Sequence, residues 1–173
     1  MYTNIETERL LLRPIYPKDA GFIFELVNSE GWLEFIGDRN IVDELAAEEY
    51  ILKLLERDNS YYNVFELKES NQAIGIITFL RRNDEQFPDI GFALLPDFEN
   101  NGYTIEAARA YLNKIDRSGT FGNVIALTMP TNTRSIRVIE KLGLSYQFDF
   151  VKDTTRLSYF SRKRLVKRSI DNN

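Results

Sequence analysis

Asp89-Ile90-Gly91-Phe92-Ala93-Leu94-Leu95-Pro96-Asp97-Phe98-Glu99-Asn100-Asn101-Gly102-Tyr103-Thr104-Ile105-Glu106-Ala107 changes its hydrophobic period half-way. Residues 89–95 form a short apolar run that Pro96 ends, which predicts a strand. From Gly102 the apolar positions fall at Ile105, Ala108, Leu112 and Ile115, one face of a helix. A polar loop with a single glycine joins the two. Backbone N–H groups in such a loop, with a helix N-terminus behind them, make a seat for an anion. The helix dipole supplies only ~0.3–1 kcal/mol at an exposed site, so convergent N–H groups matter more. The loop is neither a Walker loop nor a G-x-G-x-x-G turn. Its plain alternative is a left-handed glycine at a helix start.

Downstream, residues 124–129 form an apolar run short enough for a buried strand. A second helix follows, with Asn132 as N-cap, Ser135 at its third position and Gly143 as the stop. Ile136, Ile139 and Leu142 face inward, and Arg134, Arg137 and Lys141 make an outer basic stripe. Two strands, at 145–151 and 155–161, close the chain. Upstream, Leu10-Leu11-Leu12-Arg13 is a strand ended by Pro14. Asp19 caps a helix carrying Phe22, Ile23, Leu26 and Val27. Residues 28–42 read as a loop with Trp32, whose place is open between pocket and core, and Phe35, assigned to the core. Asp43 starts another helix, and strands at 62–67 and 73–80 form a hairpin. The order β-α-α-β-β-β-α-β-α-β-β describes an α/β (α+β) domain with an antiparallel first part and helical crossovers after it.

The 173 residues fit one domain, taken as 1–161, with 162–173 a basic, solvated and frayed tail. With no cysteine and no histidine, the chain has no thiol nucleophile, no imidazole base and no His- or Cys-ligated metal. No metal is expected. Net charge is −4. Residues 151–173 hold 7 basic and 2 acidic side chains, leaving the first 150 with 15 against 24. Such an acidic body is a poor nucleic-acid partner; contact of Arg162–Arg168 with RNA or the ribosome is the weaker idea. No signal-peptide pattern and no run near ~20 apolar residues is present. A cytoplasmic protein without membrane association is expected.

Taken in order, these segments resemble the GNAT superfamily of acyl-coenzyme A–dependent N-acetyltransferases, and within it the ribosomal-protein N-terminal acetyltransferases. Thr7-Glu8-Arg9-Leu10-Leu11-Leu12-Arg13-Pro14 is similar to the branch's first strand. Phe35-Ile36-Gly37-Asp38-Arg39 with Glu48-Glu49-Tyr50-Ile51 resembles its acceptor-side loop and helix. Asp89-Ile90-Gly91-Phe92, Pro96, Gly102-Tyr103 and Glu106-Ala107 resemble its strand and pyrophosphate loop, and Asn132, Ser135 and Glu140-Lys141-Leu142-Gly143 its late helix.

The resemblance implies a mostly antiparallel central sheet of about seven strands with four helices, and acetyl-CoA as co-substrate. It implies two strands splayed around the pantetheine arm beside Leu94 and Leu95. Asn100, Asn101, Gly102, Tyr103 and Thr104 would seat the pyrophosphate, with Asn132 on the pantetheine and Ser135 near the thioester sulfur. Asp89 is the candidate base, where relatives carry Glu, and Ser135 the candidate proton donor. The helix position at which relatives often carry Tyr is Ile139, and Glu99-Asn100-Asn101 replaces the branch's basic loop residues. These departures keep open an alternative, a non-catalytic acyl-CoA-binding or interaction domain. The acceptor implied is a primary amine, a protein N-terminus or a small cationic amine, met by Trp32, Glu34 and Asp38 with Glu30 nearby. Either a monomer or a homodimer is compatible with the sequence.

Overall fold

The computed structural model describes residues 4–163. Short apolar stretches set its first strands. β1 (Ile5–Glu6) pairs antiparallel with β2 (Leu10–Pro14), where Leu10 and Leu12 are wholly buried. β3 (Ser60–Leu67) and β4 (Ala73–Leu80) make the expected hairpin. β5 (Asp89–Leu94) lies antiparallel to β4, in register from Leu80↔Asp89 to Gly75↔Leu94. Glycine at 75 allows this closeness: a Cβ there would run into the Phe65 ring and stand 2.7 Å from the Ala93 carbonyl oxygen.

β6 (Asn123–Thr128), β7 (Ser145–Lys152) and β8 (Thr155–Lys163) complete one sheet in the order β1-β2-β3-β4-β5-β6-β8-β7. Every neighbouring pair is antiparallel except β5 and β6. Those two are parallel and meet at a single station, Asp89↔Ile125, with the Ile125 N–H donating to the Pro88 carbonyl at 3.0 Å. Past that station no ladder joins them.

Helices cover both faces. α1 (Ala20–Val27), α2 (Glu30–Phe35) and α3 (Glu44–Leu55) lie on one, where Ile23, Leu26, Ile51 and Leu54 pack with Val64 and Ile76. α4 (Tyr103–Ser118) and α5 (Thr133–Lys141) lie on the other, where Tyr111, Leu112 and Ile139 pack with Phe65, Phe79 and Phe160. Ala107 and Ala108, both fully buried, leave α4 without bulk where it meets the sheet. Burying each large apolar side chain contributes roughly 1.5–3 kcal/mol, so both layers hold the sheet.

The mixed α/β fold stands as expected, with eight strands and five helices instead of seven and four. β1 has two residues and no period to read. α2 has six, short of two turns, and its residues were assigned to a loop. Asp19 is a second difference. It precedes α1 but makes no side-chain cap. Its carboxylate instead accepts two 2.8 Å hydrogen bonds from the Arg13 guanidinium and one from the Tyr16 N–H. Arg13 also donates to Glu66 at 2.8 Å, so the charge pattern ties β2 and β3 to the turn before α1. Asp43, by contrast, caps α3 by accepting the Ala46 N–H. Arg162 and Lys163, assigned by sequence to the tail, belong to β8, and Arg162 pairs with Asp116 at 2.7 Å. The rest of the expected tail, 164–173, lies outside the described residues. No helix among the described residues is long and apolar enough to cross a membrane.

Candidate active site

Where β5 and β6 part, a cavity of about 1010 Å³ runs between the two helical layers. Strand alternation decides which β5 groups face it. The Leu95 N–H donates to Ile74 of β4 at 2.9 Å, and the β4–β5 register is unbroken. The N–H and C=O of Phe92 and Leu94 therefore point to the open edge. An extended, amide-bearing chain fits such an edge as an added strand. Leu94 lines the cavity. Leu95 does not: it is 2% exposed and packs in the α1–α3 layer.

The loop at the end of β5 has the chemistry of an anion seat. Asn100 and Gly102 both have positive φ, 63° and 78°, conformations that favour asparagine and glycine. The first backbone bond into α4 is Glu106 N–H to Gly102 C=O. Among the described residues, no backbone N–H from Asn100 to Ile105 donates to another protein group. Asn100, Gly102, Tyr103 and Thr104 line the cavity. Asn101 does not, because its amide donates to the carbonyls of Phe98 and Glu99. Arg9 braces the loop from outside. It donates to the Asn101 carbonyl at 3.0 Å and lies 4.4 Å from the Tyr103 ring centre. Glu106 accepts from Arg9 and from Thr7. Burial raises its carboxyl pKa, but these hydrogen bonds outweigh burial and hold it below the ordinary value.

Glu99, a carboxylate expected to repel a phosphate, is paired. Arg134 on the first turn of α5 reaches its Oε2 at 2.6 Å across the mouth of the cavity. Asn132 caps α5 by accepting the Ser135 N–H at 3.0 Å, and both line the cavity. Ile139 lies deeper in the wall, 1% exposed, and brings no hydroxyl.

Asp89 stands at the strand junction, 4% exposed. Its Oδ2 accepts 2.8 Å contacts from Arg82 Nε and Nη2. Burial pushes the carboxyl above its ordinary value; the Arg82 charge offsets this in part, and the Leu127 N–H favours the carboxylate without closing a full hydrogen bond to Oδ1. Asp89 opens β5, at the end opposite the anion seat, and lines the cavity, as do Trp32, Tyr62, Thr78 and Arg82. Phe35, assigned by sequence to the core, is half-buried and lines the cavity as well. Glu34 lies outside the main cavity, in a smaller recess with Glu30 and Arg134. Asp38 lines neither: it is exposed and accepts the Asn40 N–H at 2.7 Å. Arg39 and Tyr50, which stand in the segments likened to the acceptor-side loop and helix, line the cavity, whereas the sequence reading missed Arg57, Tyr62, Thr78, Arg82 and Lys152. These five are scattered from the end of α3 to β7, and no local spacing marks them.

Strands joined at one station and parted beyond it, with an amide-rich turn at the end of the opening, define a class of transferase that threads a thioester substrate through its sheet. A family model described as an acetyltransferase (GNAT) domain matches residues 9–145, and the chain belongs to that family of acetyl-CoA-dependent acetyltransferases. It is 29% identical over 149 residues to YnaD, an uncharacterized N-acetyltransferase of Bacillus subtilis (strain 168), covering 86% of each chain. A GNAT-family acetyltransferase structure from Bacillus anthracis matches with TM-score 0.80 and 26% identity, over 94% of this chain and 99% of that one. The ribosomal L7/L12 α-N-protein acetyltransferase RimL, solved with coenzyme A, shares the fold at TM-score 0.80 and 14% identity, over 93% and 98% of the chains.

Proposed function

We propose that this chain moves the acetyl group of acetyl-CoA onto a primary amine, of a protein N-terminus or of a small molecule, in the parted-strand cavity. The observation that carries the reading is the single β5–β6 station, with an anion seat at one end of the opening and a buried carboxylate at the other. The N–H groups at 100–105 hold the pyrophosphate. Open-edge groups of Phe92 and Leu94 pair with the pantetheine amides, with the Asn132 amide beside them. Bound there, acetyl-CoA supplies an activated acyl carbon. An edge N–H of β5 stabilises the negative charge that grows on the acyl oxygen.

The acceptor arrives as an ammonium and must lose a proton to attack. Asp89, whose raised pKa makes its carboxylate a better base, takes that proton directly or through water. The amine nitrogen bonds to the acyl carbon, the C–S bond breaks, and the amine's second proton leaves to solvent. Ser135 donates its hydroxyl proton to the departing sulfur and regains one from solvent. A thiol of pKa ~8.5 makes this donation helpful near neutrality without being indispensable, which accommodates Ile139.

Calorimetric titration with acetyl-CoA, followed by thiol-release assays with an amine panel, tests the reading. One-to-one binding with amine-dependent release is expected. Binding without turnover on any amine favours the second reading, a non-catalytic acyl-CoA-binding domain, which Ile139 motivates. No binding at millimolar acetyl-CoA overturns both.

A further inference from the structure

The cavity wall is cationic, although the chain carries a net charge of −4. Arg39, Arg57, Arg82 and Lys152 line it, besides Arg134, Arg137 and Lys141 of α5. Among the described residues the whole cavity has two carboxylates in its wall, Asp89 and Glu99. Both are neutralised, by Arg82 and by Arg134. Lys152 is paired with Asp84. Arg39 and Arg57 have no carboxylate of the described residues within ion-pair distance.

Each of these exposed guanidinium groups neighbours an aromatic side chain of the cavity wall. Trp32 Nε1 donates to the Gly37 carbonyl at 3.1 Å, which fixes the indole, and the Arg39 guanidinium sits 5.9 Å from the ring centre. Burial raises the pKa of the Tyr62 hydroxyl, and the nearby Arg57 charge offsets this in part. Tyr62 is 6% exposed. A concave wall concentrates the field of charges set along it, and a planar guanidinium matches a carboxylate in shape. The acids that would have attracted a cation, Glu30, Glu34 and Asp38, lie outside this cavity.

We propose that Arg39 and Arg57 form a carboxylate subsite, so that the acceptor is a primary amine that also carries a carboxylate. The proposal rests on the acetyl-transfer reading of the cavity. The bonds made and broken are those already given; the acceptor's carboxylate takes no part in them and only orients the amine toward Asp89.

The experiment first titrates wild-type protein with acetyl-CoA, then compares kcat/KM for 4-aminobutyrate, 4-aminobutanamide and 1,4-diaminobutane. The peptide amides Ala-Glu-Glu-Ala, Ala-Gln-Gln-Ala and Ala-Lys-Lys-Ala provide a second arm, which separates a small-molecule source of the carboxylate from a peptide source. A preference for the acidic member of at least one arm, by roughly tenfold or more over its neutral partner, is expected. Arg39→Gln and Arg57→Gln should each bring that ratio toward one, mainly through KM. Should no acceptor turn over, the same amines titrated into the CoA-bound protein must bind in the same order. Acetyl-CoA binding with equal or reversed preference overturns the subsite and leaves acetyl transfer standing. Absence of acetyl-CoA binding overturns both together.

Discussion

Asp89 is the base we propose, and its burial gives it a signature in pH. The carboxyl titrates above its ordinary 3.8, with Arg82, Glu85, Lys152 and Tyr159 as the charged or titratable groups electrostatically linked to it. The folded state thus binds more protons than the unfolded one between 3.8 and the raised value, so folding stability falls as pH rises through that window. Asp89→Asn should remove this slope, which equilibrium urea unfolding at several pH values will show. It should also lower kcat/KM by about 10²–10⁴-fold and abolish the acid limb of its pH profile. Asp89 became a candidate through the resemblance, at a strand position where relatives carry Glu. Its burial and its Arg82 partner were not legible in the sequence, because both depend on how β4 and β5 pair.

At the scale of elements, two side-chain bridges govern the loop between β5 and α4. The Arg134–Glu99 pair is largely solvated, with the arginine 78% exposed, and such pairs contribute about 1 kcal/mol or less to stability. Arg134→Ala should leave Tm nearly unchanged. It should weaken acetyl-CoA binding by roughly 3–10-fold, since Glu99 then faces the phosphates uncompensated; calorimetry reads this directly. Glu106 has the opposite pH sign to Asp89, its carboxyl held below the ordinary 4.5 by the hydrogen bonds of Thr7 and Arg9. Its stabilisation is complete above 4.5 and disappears as pH falls through the lower folded value. The stability gap between wild type and Glu106→Gln should therefore close in acid, as thermal unfolding from pH 7 to pH 3 will reveal. Local pattern was enough for α3, α4 and α5, whose caps and stops stand in the sequence as Asp43, Asn132, Gly102 and Gly143. It was not enough for Arg9, which meets the loop from the entrance to β2, 92 residues away from Asn101.

Across the whole molecule, two helical layers share one sheet and should unfold with it in one transition. Acetyl-CoA at about 100 times its Kd adds about 2.7 kcal/mol, which should raise Tm by roughly 5–10 °C for a chain of this size. Sequence patterning carried the order of the longer elements and the anion-seat loop, because both are written in contiguous residues. The cations of the cavity wall were not written so: Arg39, Arg57, Arg82 and Lys152 come from four segments, and only the fold collects them around one cavity. The lone Asp89↔Ile125 station also has a mechanical meaning. Load applied across the sheet will find a seam there, where β1–β5 can be peeled from β6–β8 with little resistance. A pantetheine arm bound as proposed between the two halves would act as a rivet, and the force needed to tear them apart in a single-molecule pulling experiment should climb when acetyl-CoA is present.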